Sequence, residues 1–188
     1  MLRVHITGAS GSGTTTLGRG LAERLGVPHH DADAFYWAPT RPPFQEKVAP
    51  LERDARLAAA LDASEGWVLS GSIDSWDPAL HARFTQVVFL DVPSDVRVPR
   101  LRAREEADWA RDPAEPRAAF ERSLESFLAW AASYETGALG GRHRARHETW
   151  LATLACPVLR PTADGTPAAV LERVVDALRP GPSAAPPT

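Results

Sequence analysis

The stretch ITGASGSGTTTLGRG, residues 6–20, gathers the densest set of groups that could do chemistry. Gly8, Gly11 and Gly13 let the chain turn tightly, and Ser10, Ser12, Thr14, Thr15 and Thr16 set hydroxyls among them. Residues 8–15 fit G-x-x-x-x-G-K-[ST], except that Thr14 stands in the lysine place. A strand that turns through such a loop into a helix aims backbone N–H groups at one point. The helix dipole adds positive potential there, and the chemistry is phosphate binding. Thr15 occupies the position whose hydroxyl joins a Mg²⁺ shell. A lysine would add a point charge across the β- and γ-phosphates, a contact worth on the order of a few kcal/mol. Without it, binding survives better than turnover unless another cation enters. A glycine turn that merely joins strand to helix is the plainer alternative.

The elements that must position this loop are legible around it. Residues 2–6 alternate as a strand, and Leu17, Leu21 and Leu25 recur at helical spacing up to a stop at Gly26. A short extended piece, VPHHDADAFYW, leads to a proline-punctuated loop and a helix over roughly 48–63. The apolar runs GWVLSGSID and TQVVFLDVP read as buried parallel strands. An arginine-rich helix with Val96 and Leu101 follows, then helical patterns over about 117–136 and 142–154. Strand, tight loop and final helix close the pattern at CPVLRPTADGTPAAVLERVVDAL. Strands alternating with helices predict a parallel sheet covered on both faces.

Composition narrows the function classes. The chain has 188 residues, 44% apolar and 24% charged, with net charge −3, which suits one globular domain and gives no general attraction to nucleic acid. No apolar run reaches the length of a membrane span, and MLRVHITG enters a strand directly, which predicts no leader and a cytoplasmic protein. Cys156 is the single cysteine and reads as a core residue; Lys47 is the single lysine. RPGPSAAPPT, residues 179–188, reads as a disordered tail after one domain spanning 1–178.

GASGSGTTTL, HHDADAFYW, WVLSGSID, VVFLDVP leading into RVPRLRARE, and VLRPTADGTPAAVLERV occur in the order found in the small P-loop kinases. The chain resembles that group, which includes nucleoside monophosphate, shikimate and gluconate kinases and adenylate kinase-related proteins. The resemblance implies a three-layer α/β P-loop NTPase fold, with a five-stranded parallel sheet in the order 2-3-1-4-5. It also implies an acceptor-binding region at about 31–62 and a lid at about 105–120. The activity implied is ATP- and Mg²⁺-dependent phosphoryl transfer to a small molecule, with a nucleoside monophosphate as one candidate, by a monomer or homodimer. Gly8, Ser10, Gly11, Ser12, Gly13, Thr14, Thr15, Thr16 and Arg100 would hold the nucleotide, and Thr162–Gly165 would meet its base through backbone.

The pair Asp31-x-Asp33 resembles the pair in shikimate-type kinases, where the first carboxylate helps hold Mg²⁺ and the second meets the acceptor. Alternation along an extended segment would place both on one side at a strand's carboxyl end. The alternative is that one of them caps the helix beginning at AFYW. Gly71, with Ser70, Ser72 and Asp74 near it, would face the acceptor, walled by Trp37 and Trp76 or with these packed in the core. Arg97, Arg100 and Arg104 share a helix face, so Arg104 is the first candidate to replace the lysine charge. Arg142 and Arg146, one turn apart, are the second, and Arg104 and Arg146 are assigned to catalysis. Glu105 and Glu106 offer these arginines a plain ion-pair role instead. His143 and His147 are spaced for a metal but flanked by arginines. A rival function is a nucleotide-binding sensor or regulator with little turnover because position 14 is threonine.

Overall fold

The computed structural model describes residues 1–179, so nine of the ten residues in the expected tail lie outside the described part. The five strands β1 (Arg3–Gly8), β2 (His29–Asp31), β3 (Trp67–Ser70), β4 (Gln86–Leu90) and β5 (Val158–Leu159) are all parallel and ordered β2-β3-β1-β4-β5. That is the expected sheet. Among the described residues no helix is long and apolar enough to cross a membrane.

Strand alternation sorts two cores. Val4, Ile6, Val68, Val88 and Leu90 face helices α1 (Thr14–Leu25) and α8 (Pro167–Leu178), where Leu17, Leu21 and Val174 pack. The residues between them, such as Trp67, Leu69, Val87 and Phe89, face the other way. There they meet Leu57 and Leu61 of α3 (Pro50–Asp62) and Trp150 of α7 (Arg144–Leu151). Burying a leucine such as Leu21 or Leu57 contributes about 1.5–3 kcal/mol, and it fixes how each helix lies on the sheet.

A third cluster joins α5 (Ser94–Arg111) to α6 (Arg117–Ala132) through Leu101, Phe120, Leu124 and Leu128. The expected lid segment therefore comprises the last turns of α5, a short connection and the first turn of α6. Two single-turn helices, α2 (Asp33–Tyr36) and α4 (Pro78–His81), follow β2 and β3. The connection from β1 runs toward the β2 edge and that from β4 toward the β5 edge, so a crevice opens above the carboxyl ends of these neighbouring strands.

Candidate functional site

The loop after β1 is shaped by backbone needs. At Gly11, φ is +81°, and a Cβ would lie 2.8 Å from Leu101 Cγ and 2.9 Å from the Arg97 carbonyl oxygen. Only glycine fits. Gly13, at φ +93°, has open space around it but serves as the left-handed N-cap of α1. No side chain caps that helix and no acidic residue lies in its first turn. Its N-terminal N–H groups and dipole are left for an anion. A cleft of about 370 Å³ opens there, lined by residues 11–17, Arg100 and Arg104, and reaching Ala163 and Gly165 between β5 and α8. Gly8 supports the turn from behind, against Leu90, and Ser12 keeps a buried hydroxyl without a partner.

The three arginines expected on one face of α5 divide. Arg97 is fully buried and donates to the carbonyls of Val92 (2.7 Å), Ser10 (3.0 Å) and Ala131 (3.3 Å) and to Glu135 Oε1 (2.7 Å). It braces the loop and cannot reach a phosphate. Arg100 and Arg104 line the cleft, and Arg104 also donates to Glu105 Oε1 at 2.6 Å, the plain ion pair weighed against it.

The segment entering α7 sends arginines to the ends of the three central strands. Arg142 Nη2 donates to Ser10 Oγ at 2.7 Å, after β1. Arg144 grips Asp91, after β4, with both terminal nitrogens. Arg146 pairs with the buried Asp74, after β3. A buried carboxylate thus holds the Arg146 guanidinium, and Arg142 is the member of that pair on the loop. His143 and His147 are not brought together as ligands. His143 accepts from the Arg146 N–H as the cap of α7. His147 is buried between Ser72 Oγ (3.0 Å) and Tyr134 OH (2.8 Å). Burial holds its pKa down at about 4, against the opposing pull of Asp74.

On the acceptor side, Thr15 Oγ1 donates to Asp31 Oδ2 at 2.9 Å, while Asp31 Oδ1 accepts the Asp33 N–H at 3.1 Å. Asp31 thus ties Thr15 to the start of α2, one oxygen to each. The alternation argument for the pair fails, because β2 ends at Asp31 and Asp33 opens α2. Asp33 is exposed at its surface but stands in a recess. Crowding by protein raises its pKa, Asp31 raises it further, and Arg142 and Arg104 oppose both. The carboxylate therefore lies within electrostatic reach of Arg142 and Arg104.

Trp76 is buried and stacks on Tyr36 with centroids 6.3 Å apart, so it belongs to the core rather than to an open wall. Trp37 is half-buried, edge-on to Tyr36, with Lys47 Nζ 5.9 Å from its ring centroid. Sequence reasoning missed Arg53. Its side chain is 8% exposed, its guanidinium lies 4.0 Å from the Trp76 ring centroid, and only Nε is hydrogen-bonded, to Asp54 at 2.7 Å. The signal was present: Arg53, Leu57 and Leu61 form one stripe at helical spacing, with an arginine where an apolar residue belongs.

Known proteins match this arrangement. A family profile described as AAA domain (AAA_18) covers residues 4–117. The chain is 39% identical over 175 residues to the Uncharacterized protein YqaC of Bacillus subtilis, covering 93% of this chain and 96% of that protein. It is 33% identical over 116 residues to a Cytidylate kinase of Methanothermobacter thermautotrophicus, covering 56% of this chain and 70% of that enzyme. The shikimate kinase structure from Bacteroides thetaiotaomicron superposes with a TM-score of 0.54 at 18% identity, covering 94% of this chain and 98% of that one.

Proposed function

Because the chain belongs to the AAA-domain family and to the small P-loop kinase group, we propose that it transfers the γ-phosphoryl group of ATP, with Mg²⁺, to a small acidic acceptor. The observation that carries this reading is the Thr15–Asp31 hydrogen bond of 2.9 Å beside the uncapped start of α1. A hydroxyl and a carboxylate, both oxygen donors, fit Mg²⁺, which takes few protein ligands and completes its shell with water and phosphate. Thr15 and Asp31 would hold the ion, whose chemistry there would be to neutralise the charge that develops on the phosphates.

The chain's own residues supply the rest. The loop N–H groups cradle the phosphates, Arg100 and Arg104 close over them, and Ala163 and Gly165 flank the base. Asp33 orients the acceptor oxygen that attacks the γ-phosphorus. The bond from that phosphorus to ADP breaks, ADP keeps the electron pair, and a hydroxyl acceptor gives its proton to Asp33. Arg53 has terminal nitrogens without hydrogen-bond partners among the described residues and faces the aromatic side of this region, which favours an acceptor carrying phosphate or carboxylate. Nucleoside monophosphates and sugar acids are the two classes to screen.

Calorimetry with MgATP, followed by ADP release against both panels, tests this. Nucleotide at about a hundredfold its Kd should stabilise the fold by about 2.7 kcal/mol. Failure to bind ATP, ADP or GTP at millimolar concentration would sink the reading. Thr14 favours a second one, a nucleotide sensor without turnover. Tight ATP binding with no ADP release under any acceptor selects it.

A further inference from the structure

We propose that Arg142, reaching the phosphate loop from the connection between α6 and α7, carries the positive charge that Thr14 does not, and that Ser10 holds it there. The proposal rests on the kinase reading above and narrows it to one residue. The other arginines near the loop are engaged or displaced. Arg97 has four acceptors within the fold, Arg144 is paired with Asp91, and Arg146 with Asp74. Arg104 is 57% exposed and bound to the neighbouring Glu105, and Arg100 lines the cleft from α5, on the nucleotide side proposed for it above.

Arg142 differs in each respect. Its guanidinium is half-buried, lies 5.4 Å from the Trp130 ring centroid, and donates through Nη2 to Ser10 Oγ at 2.7 Å. Among the described residues only this nitrogen of the guanidinium is engaged, which leaves most of its five N–H donors for phosphate oxygens. Gly140 and Gly141, at φ +68° and +70°, turn the chain so that Arg142 points inward, and a Cβ at Gly141 would crowd Trp130 Nε1 at 3.3 Å. Asp33 and Asp74 stand close enough to act on its charge. A cation between the loop and Asp33 lies between donor and acceptor, where the transferred group passes. It would therefore favour the γ-phosphate, more than the β-phosphate, over which a loop lysine spreads its charge.

Calorimetric titration of MgATP and MgADP into wild type, Arg142→Ala, Arg142→Lys, Ser10→Ala, Thr14→Lys and the Arg142→Ala/Thr14→Lys double variant tests this. Loss of a charge-assisted phosphate contact should weaken MgATP about tenfold or more in Arg142→Ala, and MgADP less than about threefold. Ser10→Ala should fall between wild type and Arg142→Ala. Thr14→Lys should recover most of the lost MgATP affinity in the Arg142→Ala background while adding little to wild type. A residue that only packs on Trp130 would not be rescued from position 14. Wild-type MgATP affinity in Arg142→Ala overturns the assignment, as does a double variant no tighter than Arg142→Ala. Should Arg142→Ala not fold, Arg142→Lys and Ser10→Ala decide the matter by the same ATP-over-ADP loss, and equal losses for both nucleotides overturn it. A wild-type protein that binds neither nucleotide removes the kinase reading itself, and this assignment with it.

Discussion

Two halves of the site are built in opposite ways. The loop after β1 offers a ligand its backbone, local in sequence, and its shape follows from Gly8 and Gly11, whose neighbours leave no room for a side chain. The proposed acceptor half and the arginines entering α7 instead offer side chains, drawn from α2, α3, α5 and the α6–α7 connection. A backbone cradle can lose one side chain and remain a cradle. A side-chain constellation can move a charge from one element to another, and the proposed pairing of Thr14 with an incoming arginine would use that freedom.

The contrast breaks first at Arg97, where a side chain does a backbone's work. Arg97→Met leaves Glu135 and the Ser10, Val92 and Ala131 carbonyls without their donor, so urea unfolding should show a loss of about 3–5 kcal/mol, with nucleotide binding weakened through a slack loop. An unchanged midpoint would mean that Arg97 is a passenger. Gly11→Ala comes next, with left-handed strain and a clash against the Arg97 carbonyl, for about 2–4 kcal/mol. On the other side, Asp33→Asn should keep MgATP affinity and melting temperature yet reduce acceptor-dependent turnover about a hundredfold. Full turnover would assign Asp33 to structure.

Acid sharpens the comparison from beneath the site. Burial holds His5 at about 3 and His147 at about 4, below the ordinary histidine value. The unfolded chain then takes up protons that the folded chain refuses. Their stabilisation is complete above pH about 6.5 and declines as pH falls toward those values, by up to about 1.4 kcal/mol per pH unit for each ring. Denaturant titrations at pH 7 and pH 5 measure it, and His5→Phe, stacked on Phe84, should flatten the difference. The smallest effect belongs to Gly13→Ala. With nothing within 4 Å, only the positive φ resists, at about 1 kcal/mol.

The parallel strands and the glycine loop could be read from the sequence because each rests on local pattern, apolar runs closed by glycine or proline and glycines at fixed spacing, whereas the strand order came from the family resemblance. The carboxylate pair was found for a reason that does not hold, since a helix replaces the extended segment at Asp33. The arginines defeated sequence reasoning most. Helical spacing puts Arg97, Arg100 and Arg104 on one face, but it cannot say that the same face passes from core to cleft within two turns. Nor does spacing tell Arg142 from Arg146, whose partners Ser10 and Asp74 come from distant strands. Arg53 was legible in principle, as a charge on an apolar stripe.

The strap from Arg142 to Arg146 addresses three strand ends from five consecutive residues. Its arginines share one reading frame in space. Exchanging any one of them disturbs one address, but adding or deleting a residue between Arg142 and Arg146 would misdirect at least two together. Length in this segment is therefore held more tightly than identity at most of its positions. The connection between α5 and α6, held by the exposed Arg41–Asp112 pair and by Trp109 Nε1 donating to the Glu115 carbonyl at 3.1 Å, addresses no strand end and carries no such frame.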